Sequence, residues 1–167
     1  MQVMMPKFTP DTAQTESHDG KDHPCGPYEA ILFSDSGGLT QFGAFVEILP
    51  SGSKSSIKHW HQNEDEMIYM LEGKALVHEG DYTYVLNTGE VATFKAGDAI
   101  GHFIENTGKS PVKYLVIGTR STSEVVTYPD NDSVLKFERR VGTQRFKEHS
   151  YTTLSGEPAC SPYKDTV

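Results

Sequence analysis

Short apolar segments alternate with polar turns through the middle of the chain. Between about residues 28 and 128, these segments recur at intervals of roughly ten residues and are separated by Gly, Pro, Asn and Asp. This spacing is typical of an all-β sandwich or barrel. The pattern predicts strands at residues 29–34, 41–49, 56–61, 66–72, 74–79, 82–87, 91–95, 101–105 and 112–119.

Local sequence features support these strands. Within residues 42–48, Phe, Ala, Val and Ile occupy every second position, which is the side-chain period of a strand. The pair Gly80-Asp81 suits a two-residue hairpin turn, because glycine adopts a positive φ at the first central position. No stretch has a sustained helical period, so we expect little helix.

Composition divides the chain into three parts. Residues 1–27 are polar and rich in Pro and Gly, which predicts a flexible or strand-exchanging N-terminal arm. Residues 28–128 form the predicted barrel, and 129–167 are expected to be a C-terminal extension packed on it. A chain of 167 residues is long enough for one domain with a real core.

The net charge and the hydropathy of the chain argue against nucleic-acid and membrane partners. The net charge of −8 argues against nucleic-acid binding, which needs clustered Lys and Arg. No apolar run approaches the ~20 residues that cross a bilayer, and the polar N-terminus lacks the apolar core of a signal peptide. We therefore expect a cytoplasmic protein. Cys25 and Cys160 form no motif and are predicted to be free thiols.

Two histidines two positions apart are the first sign of a site. On a strand, His59 and His61 would lie on the same face and could share one cation. Such a pair is weak evidence alone, because an HxH pattern is more often two unrelated histidines. Glu66 follows after a short polar loop, and His102 comes later, on another predicted strand. Three imidazoles and a carboxylate suit a divalent Fe, Mn, Ni, Cu or Zn ion.

Other acidic and aromatic residues compete for roles at this site. Glu64 and Asp65 are alternatives to Glu66, although strand alternation places Glu66 with Ile68 and Met70. Trp60 has the opposite parity from His59 and should face away. The predicted apolar pocket liners, by parity with the ligands, are Phe42, Ile57, Ile68, Met70, Ile104 and Tyr114. His18, His23, His78 and His149 are expected at the surface.

These motifs resemble those of the cupins. HWHQNEDEMIYMLEG matches the spacing of the first cupin motif, and GEVATFKAGDAIGHFIEN is similar to the second, with Lys95 where Pro is usual. Together with GLTQFGAF, VKYLVIGTR and VVTYPDND, they resemble a subgroup of small single-domain cupins, mostly of unassigned function and sometimes labelled sugar-phosphate isomerases. The resemblance implies an all-β cupin double-stranded β-helix, a jelly-roll-like barrel with extended N- and C-terminal arms. It also implies a metal inside the barrel mouth, with His59, His61, Glu66 and His102 as ligands, and commonly a homodimer.

The predicted site has the open coordination positions that are typical of a ligand-binding or catalytic centre. Four protein ligands around an ion that prefers six leave two positions open, and structural sites are closed. Two open positions suit a small oxygen-rich metabolite that chelates the metal, for isomerisation by enolisation or for dioxygenation. The alternatives are a non-catalytic module that binds or senses a small molecule and a metal-free barrel kept for oligomerisation. The sequence offers no convincing general base.

Overall fold

Antiparallel strands make up most of the computed structural model, which describes residues 6–140 and 146–163. The strands are β1 (Gln14–His18), β2 (Tyr28–Leu32), β3 (Phe42–Leu49), β4 (Trp60–His61), β5 (Glu66–Glu72), β6 (Lys74–Glu79), β7 (Tyr82–Asn87), β8 (Val91–Phe94), β9 (His102–Glu105), β10 (Val112–Thr119), β11 (Ser123–Tyr128), β12 (Ser133–Arg139) and β13 (Phe146–Thr152). Helix is limited to α1 (Phe33–Ser36) and one 3-10 turn (Pro129–Asn131). The predicted all-β class and low helix content are confirmed.

Three antiparallel sheets build the double-stranded β-helix. The largest has the order β1-β2-β3-β10-β5-β8, and the other two are β13-β12-β11-β4 and β7-β6-β9. Neighbours in the sheets are distant in sequence: β10 lies between β3 and β5. Because of this crossover, side chains from the first and last thirds of the barrel face one interior.

Alternation within the central strands separates core from surface. Along β3, Gly43, Glu47 and Leu49 are buried, so the odd-numbered positions face inward. The main core consists of the inward side chains of β3 and of β5 to β10, with Met70, Val77, Ile104 and Tyr114 fully buried. A second cluster of buried side chains is formed by β11 and β12 of the C-terminal sheet. It consists of Val126, Tyr128, Leu135 and Phe137.

Buried polar groups fix the turns between strands. The Asn106 side chain has no exposed surface and donates to the carbonyls of Leu49 and Ser110, at 2.8 and 2.9 Å. Its Oδ1 accepts a bond from the Gly108 amide. This residue therefore joins the end of β3 to the loop before β10. Gly80 has a φ of +59°, as the predicted hairpin turn between β6 and β7 requires.

The strands β1, β11, β12 and β13 lie outside the predicted set. Four of the five residues of β1 are exposed, so its sequence carries no apolar alternation, and backbone pairing with β2 holds it in place. Strands β12 and β13 extend β11 into a sheet beyond residue 128. The predicted strand at 56–61 is reduced to Trp60–His61, because residues 55–58 form bends between the isolated bridges of Lys54 and His59.

Two further observations concern the whole of the described chain. Cys25 and Cys160 are free thiols, as predicted. No helix among residues 6–140 and 146–163 is long and apolar enough to cross a membrane.

Gly73 offers a test of the β5–β6 turn. A Cβ at Gly73, where φ is +84°, would approach Val112 Cγ1 to 2.9 Å, whereas at Gly89, where φ is +89°, it would meet nothing within 4 Å. Both Gly73→Ala and Gly89→Ala should lose ~1–2 kcal/mol of unfolding free energy from backbone strain. Only Gly73→Ala should lose a further ~1–3 kcal/mol from overpacking. Equal losses in urea titrations of the two variants would contradict this account.

Candidate metal centre

Backbone pairing brings the four predicted ligands together. His59 and His102 form an isolated antiparallel bridge, in which each amide donates to the other residue's carbonyl, at 2.8 and 3.3 Å. His61 lies in β4, and Glu66 begins β5. His61, Glu66 and His102 therefore lie in three different sheets, and His59 is bridged to His102; we call these four residues the His/Glu cluster.

The side chains of the cluster face one another closely. Potential ligand atoms of His59, His61 and Glu66 all lie within 4.8 Å of one another. His102 Nε2 is 3.5 Å from Glu66 Oε1, and the ring centroids of His59 and His102 are 4.9 Å apart. The arrangement could hold one cation with nitrogen and oxygen ligands, which is a set suited to first-row divalent metals.

A hydrogen bond fixes the tautomer of His59. Its Nδ1 lies 2.9 Å from the Ile57 carbonyl oxygen, which can only accept, so Nδ1 carries the proton. The lone pair is therefore on Nε2. An imidazole whose other nitrogen donates to a backbone carbonyl is the usual form of a metal-binding histidine.

The electrostatics of the cluster favour an ionised Glu66 carboxylate beside a neutral His59 imidazole. Burial opposes ionisation of Glu66, but the imidazoles of His102, His59 and His61 outweigh it and lower the pKa of Glu66 to about 2. Burial, with the neighbouring His61 and His102, lowers the pKa of His59 to about 4. Deprotonated imidazoles and an ionised carboxylate are the forms that bind a metal ion.

Buried nitrogens without partners also fit a metal. Both ring nitrogens of His102, and Nδ1 of His61, are buried and form no hydrogen bond. The His102 ring stacks on Phe94 at a centroid distance of 3.6 Å, which fixes its plane. Because an unpaired buried polar atom costs free energy, a cation at His102 Nε2 would relieve that cost.

The competing acids Glu64 and Asp65 anchor loops. Glu64 is buried, pairs with Arg139 and accepts a bond from the Ser121 amide at 2.8 Å. Asp65 Oδ1 accepts a bond from the Ala96 amide, also at 2.8 Å. Glu64 is thus a buried side chain that is paired with Arg139.

Buried Glu124 holds the loop between His61 and Glu66. Its Oε1 accepts bonds from the amides of Gln62, Asn63 and Val125, at 2.9, 3.1 and 2.7 Å. A carboxylate oxygen of Glu124 also lies within 4.8 Å of a ring nitrogen of His61. The loop that spaces two members of the cluster is therefore fixed by one side chain from β11.

An inner cavity of about 180 Å³ adjoins the His/Glu cluster. Besides His59, Glu66 and His102, its lining includes Ile68 and Tyr114, two of the predicted pocket residues. The remaining predicted liners lie elsewhere. Met70 and Ile104 belong to the main core, and Ile57 packs against the C-terminal cluster. Phe42 is 38% exposed, because the inward positions of β3 are the odd-numbered ones.

Glu47 is the residue that sequence reasoning missed. It lies on β3, is 8% exposed and lines the inner cavity with Phe45. Burial raises the pKa of Glu47 to about 8; the Tyr114 hydroxyl opposes the shift, and negative charge on Glu66 and Glu16 adds to it. The available signal was a single carboxylate inside an otherwise apolar strand, in phase with Leu49.

A larger cavity of about 390 Å³, which we call the outer chamber, lies beside the inner one. Both cavities are lined by Phe45, Glu47 and Ser55. The N-terminal segment contributes Glu16 and His23 to the outer chamber, although His23 was expected at the surface. Trp60 lines a third depression together with His61 and His102, on the cluster side of the barrel rather than away from it.

Three comparisons describe what the chain is similar to. Residues 45–118 match the family model of the cupin domain. A crystal structure of a sugar phosphate isomerase from a cupin superfamily, from Silicibacter pomeroyi, has a TM-score of 0.80 and 27% sequence identity, covering 95% of this chain and 99% of that one.

Two curated relatives match shorter stretches. The oxalate-binding protein of Thermotoga maritima is 32% identical over 69 residues, which is 41% of this chain and 54% of that protein. The oxalate decarboxylase of Bacillus subtilis is 37% identical over 82 residues, 44% of this chain and 20% of that protein. The chain thus spans about half of the first relative and a fifth of the second.

Glu124 provides a test of the loop anchor. Glu124→Ala removes the side-chain acceptor of the Asn63 and Val125 amides, while the Gln62 amide keeps its bond to the Val125 carbonyl, and should lower the free energy of unfolding by ~1–3 kcal/mol. Glu124→Gln keeps one acceptor oxygen at the same place and should lose clearly less. Urea unfolding of both variants measures the difference. If the alanine variant is no less stable than the glutamine variant, Glu124 does not anchor the loop.

Proposed function

Because this chain is a small cupin, we propose that the His/Glu cluster holds one divalent metal ion and that Glu47 transfers a proton beside it. The reaction class is isomerisation by enolisation of a small oxygen-rich metabolite. The observation that carries the proposal is the position of Glu47, whose carboxyl group shares the inner cavity with His59 and Glu66.

The donor set supports a metal in this place. His59 presents Nε2 as a lone pair, and His102 has buried nitrogens without partners. When bound, a divalent Fe, Mn, Ni or Zn ion would act as a Lewis acid on a carbonyl oxygen. The homodimer that the resemblance implies remains a prediction.

Glu47 has the properties of a proton-transfer group. A raised pKa makes its carboxylate a stronger base than an exposed one, and a value near the working pH is the optimum for general acid–base catalysis. The Glu47 carboxylate takes a proton from the hydroxyl-bearing carbon next to a carbonyl. The C–H electron pair becomes the C=C bond of an enediolate as the π pair of the carbonyl moves onto the carbonyl oxygen. Protonated Glu47 then returns the proton to the former carbonyl carbon, while the proton of the neighbouring hydroxyl moves to the former carbonyl oxygen and a new carbonyl forms at the hydroxyl-bearing carbon.

Two other activities would use the same cluster. Dioxygenation and non-catalytic binding both need the cluster and a cavity, but neither needs a buried base. Enolisation does need one, and Glu47 supplies it. The buried carboxylate therefore favours enolisation over the two alternatives.

Removal of two ligands tests the metal site. The double variant His59→Ala/His61→Ala should lose the one equivalent of metal that wild type binds, while its β-sheet circular dichroism stays largely unchanged. His149→Ala, which removes an exposed histidine, should keep the metal. Metal content is measured by mass spectrometry after dialysis. One equivalent retained by the double variant would show that the cluster does not hold the ion.

Glu47→Gln tests the proton transfer. The readout is deuterium from D2O incorporated beside the carbonyl of hydroxy-aldehydes and hydroxy-ketones, with Fe(II), Mn(II), Ni(II) or Zn(II) supplied. We expect a loss of about 10²–10⁴-fold with metal content unchanged. Glu29→Gln, which changes an exposed carboxylate on neighbouring β2, is the control. Exchange by Glu47→Gln at the wild-type rate would eliminate Glu47 as the base, and no exchange by wild type would favour a binding protein.

The pH dependence should report the same group. Glu47 takes a proton only when ionised, so the wild-type exchange rate should rise with pH as Glu47 ionises, and Glu47→Gln should lack this limb. The charge of a bound divalent ion lowers the pKa of Glu47 below the value of about 8 that it has in the metal-free protein. The folded state holds the Glu47 proton more tightly than the unfolded state does. The stability that this proton contributes is therefore present at low pH and lost as pH rises through about 8. Glu47→Gln should not show this loss.

A further inference from the structure

We infer that the outer chamber binds the part of the substrate that points away from the His/Glu cluster, and that this part is uncharged and rich in hydroxyl groups rather than a phosphate ester. The inference rests on the proposed function in one respect: it takes the molecule in the outer chamber to be the substrate of the His/Glu cluster. The nature of the chamber wall decides the chemical class.

The two cavities are placed to hold one molecule. Phe45, Glu47 and Ser55 line both, so a ligand that reaches the cluster through the inner cavity can extend past Glu47 into the outer chamber. A volume of about 390 Å³ lies within the usual ~300–1,000 Å³ of small-molecule sites. The chamber is therefore large enough for a group of several carbons.

The positive charge of the chamber is already neutralised. Among the described residues that line it, Arg120 is the only Lys or Arg. Its guanidinium is 9% exposed, pairs with Asp35 Oδ1 at 2.7 Å and donates to the Leu39 carbonyl at 2.9 Å. Phosphate recognition uses guanidinium or ammonium groups whose donors face the ligand. Arg120 thus directs three of its five N–H donors to Leu39, Ser34 and Asp35, and its charge is paired with Asp35.

The remaining titratable groups make the wall neutral or negative. Burial and the neighbouring His18 lower the pKa of His23, so this imidazole is uncharged near neutral pH. Glu16 and Glu47 add carboxyl groups to the same wall. A doubly charged phosphate would enter without a counter-charge and would lose its hydration, which is costly.

Aromatic rings and carboxylates together suit a polyol. The ring of His23 lies 6.1 Å from that of Tyr28 and 5.7 Å from that of Tyr163, measured between centroids. All three rings present apolar surface to the chamber. Glu16 Oε1 accepts a bond from the Tyr28 hydroxyl at 2.6 Å, and each carboxylate has a second oxygen beyond the one so engaged. Hydroxyl groups can donate to such oxygens while the C–H face of a sugar packs on the rings.

Paired ligands test the inference on the full-length, metal-loaded protein. Isothermal titration calorimetry would compare D-ribose with D-ribose 5-phosphate, D-glucose with D-glucose 6-phosphate, and D-fructose with D-fructose 6-phosphate. At least one free sugar should bind, and it should bind at least about tenfold more tightly than its phosphate ester. Tighter binding of the esters in every pair, or no binding by any free sugar, would overturn the inference.

Asp35→Asn provides an internal control for the charge argument. This substitution removes the counter-charge of Arg120 while keeping the shape of the side chain, so the ester should gain at least about tenfold relative to its free sugar. Asp81→Asn, at the distant β6–β7 turn, should leave the ratio unchanged. An unchanged ratio in Asp35→Asn would show that Arg120 does not govern the choice.

The deuterium assay separates this inference from the proposed function. A free sugar that binds but exchanges no deuterium would contradict enolisation and leave the chamber's preference standing. A phosphate ester that binds more tightly than its sugar and exchanges deuterium through Glu47 would support enolisation and overturn the preference.

Discussion

Two backbone hydrogen bonds between His59 and His102 are the constraint on which the site depends. They join the segment around His59, which forms almost no other strand pairing, to the start of β9. Both residues are thereby set at one depth in the barrel, where their rings lie 4.9 Å apart. The β4–β5 loop, anchored by Glu124, then sets the spacing from His61 to Glu66.

Burial and pairing give the acidic residues of this region different roles. Glu124 and Glu64 are saturated with bonds from backbone amides or with Arg139, so their charges stabilise loops. Glu66 faces three imidazoles and is held ionised. Glu47 is buried near the negative charge of Glu66 and holds its proton to a higher pH. Identical side-chain chemistry thus serves three purposes, and the environment decides which.

Sequence patterns were sufficient for most of the barrel strands, whereas the ligand roles of the His/Glu cluster stay a prediction. Period-two alternation located β3 and β5 through β10 to within a residue or two, because those strands have one buried face. Alternation carries no such signal in β1, whose residues are mostly exposed and held by backbone pairing to β2.

Which side chains of a strand face the interior was harder to predict than where the strand lies. A shift of one residue exchanges the two faces, and the apolar even positions of β3 suggested Phe42 for the pocket. The odd positions face inward instead, because β3 pairs with β10 in a register that buries Glu47 and Leu49 beside Tyr114. A buried carboxylate is costly, so sequence rules assign it to the surface. Glu47 is an exception to these rules, which is why it was missed.

The part of the chain that matches the cupin domain lines the inner cavity but supplies only some of the residues of the outer chamber. The cluster and most of the inner wall lie within residues 45–118, the part of the chain that matches the cupin domain. Glu16, His23, Tyr28, Asp35 and Tyr163 of the outer chamber lie outside it. A shared fold can therefore preserve the cluster while segments before and after it remodel the chamber. Chemistry near the cluster and choice of substrate are then set by different parts of the chain, and the second must be inferred from this protein's own residues.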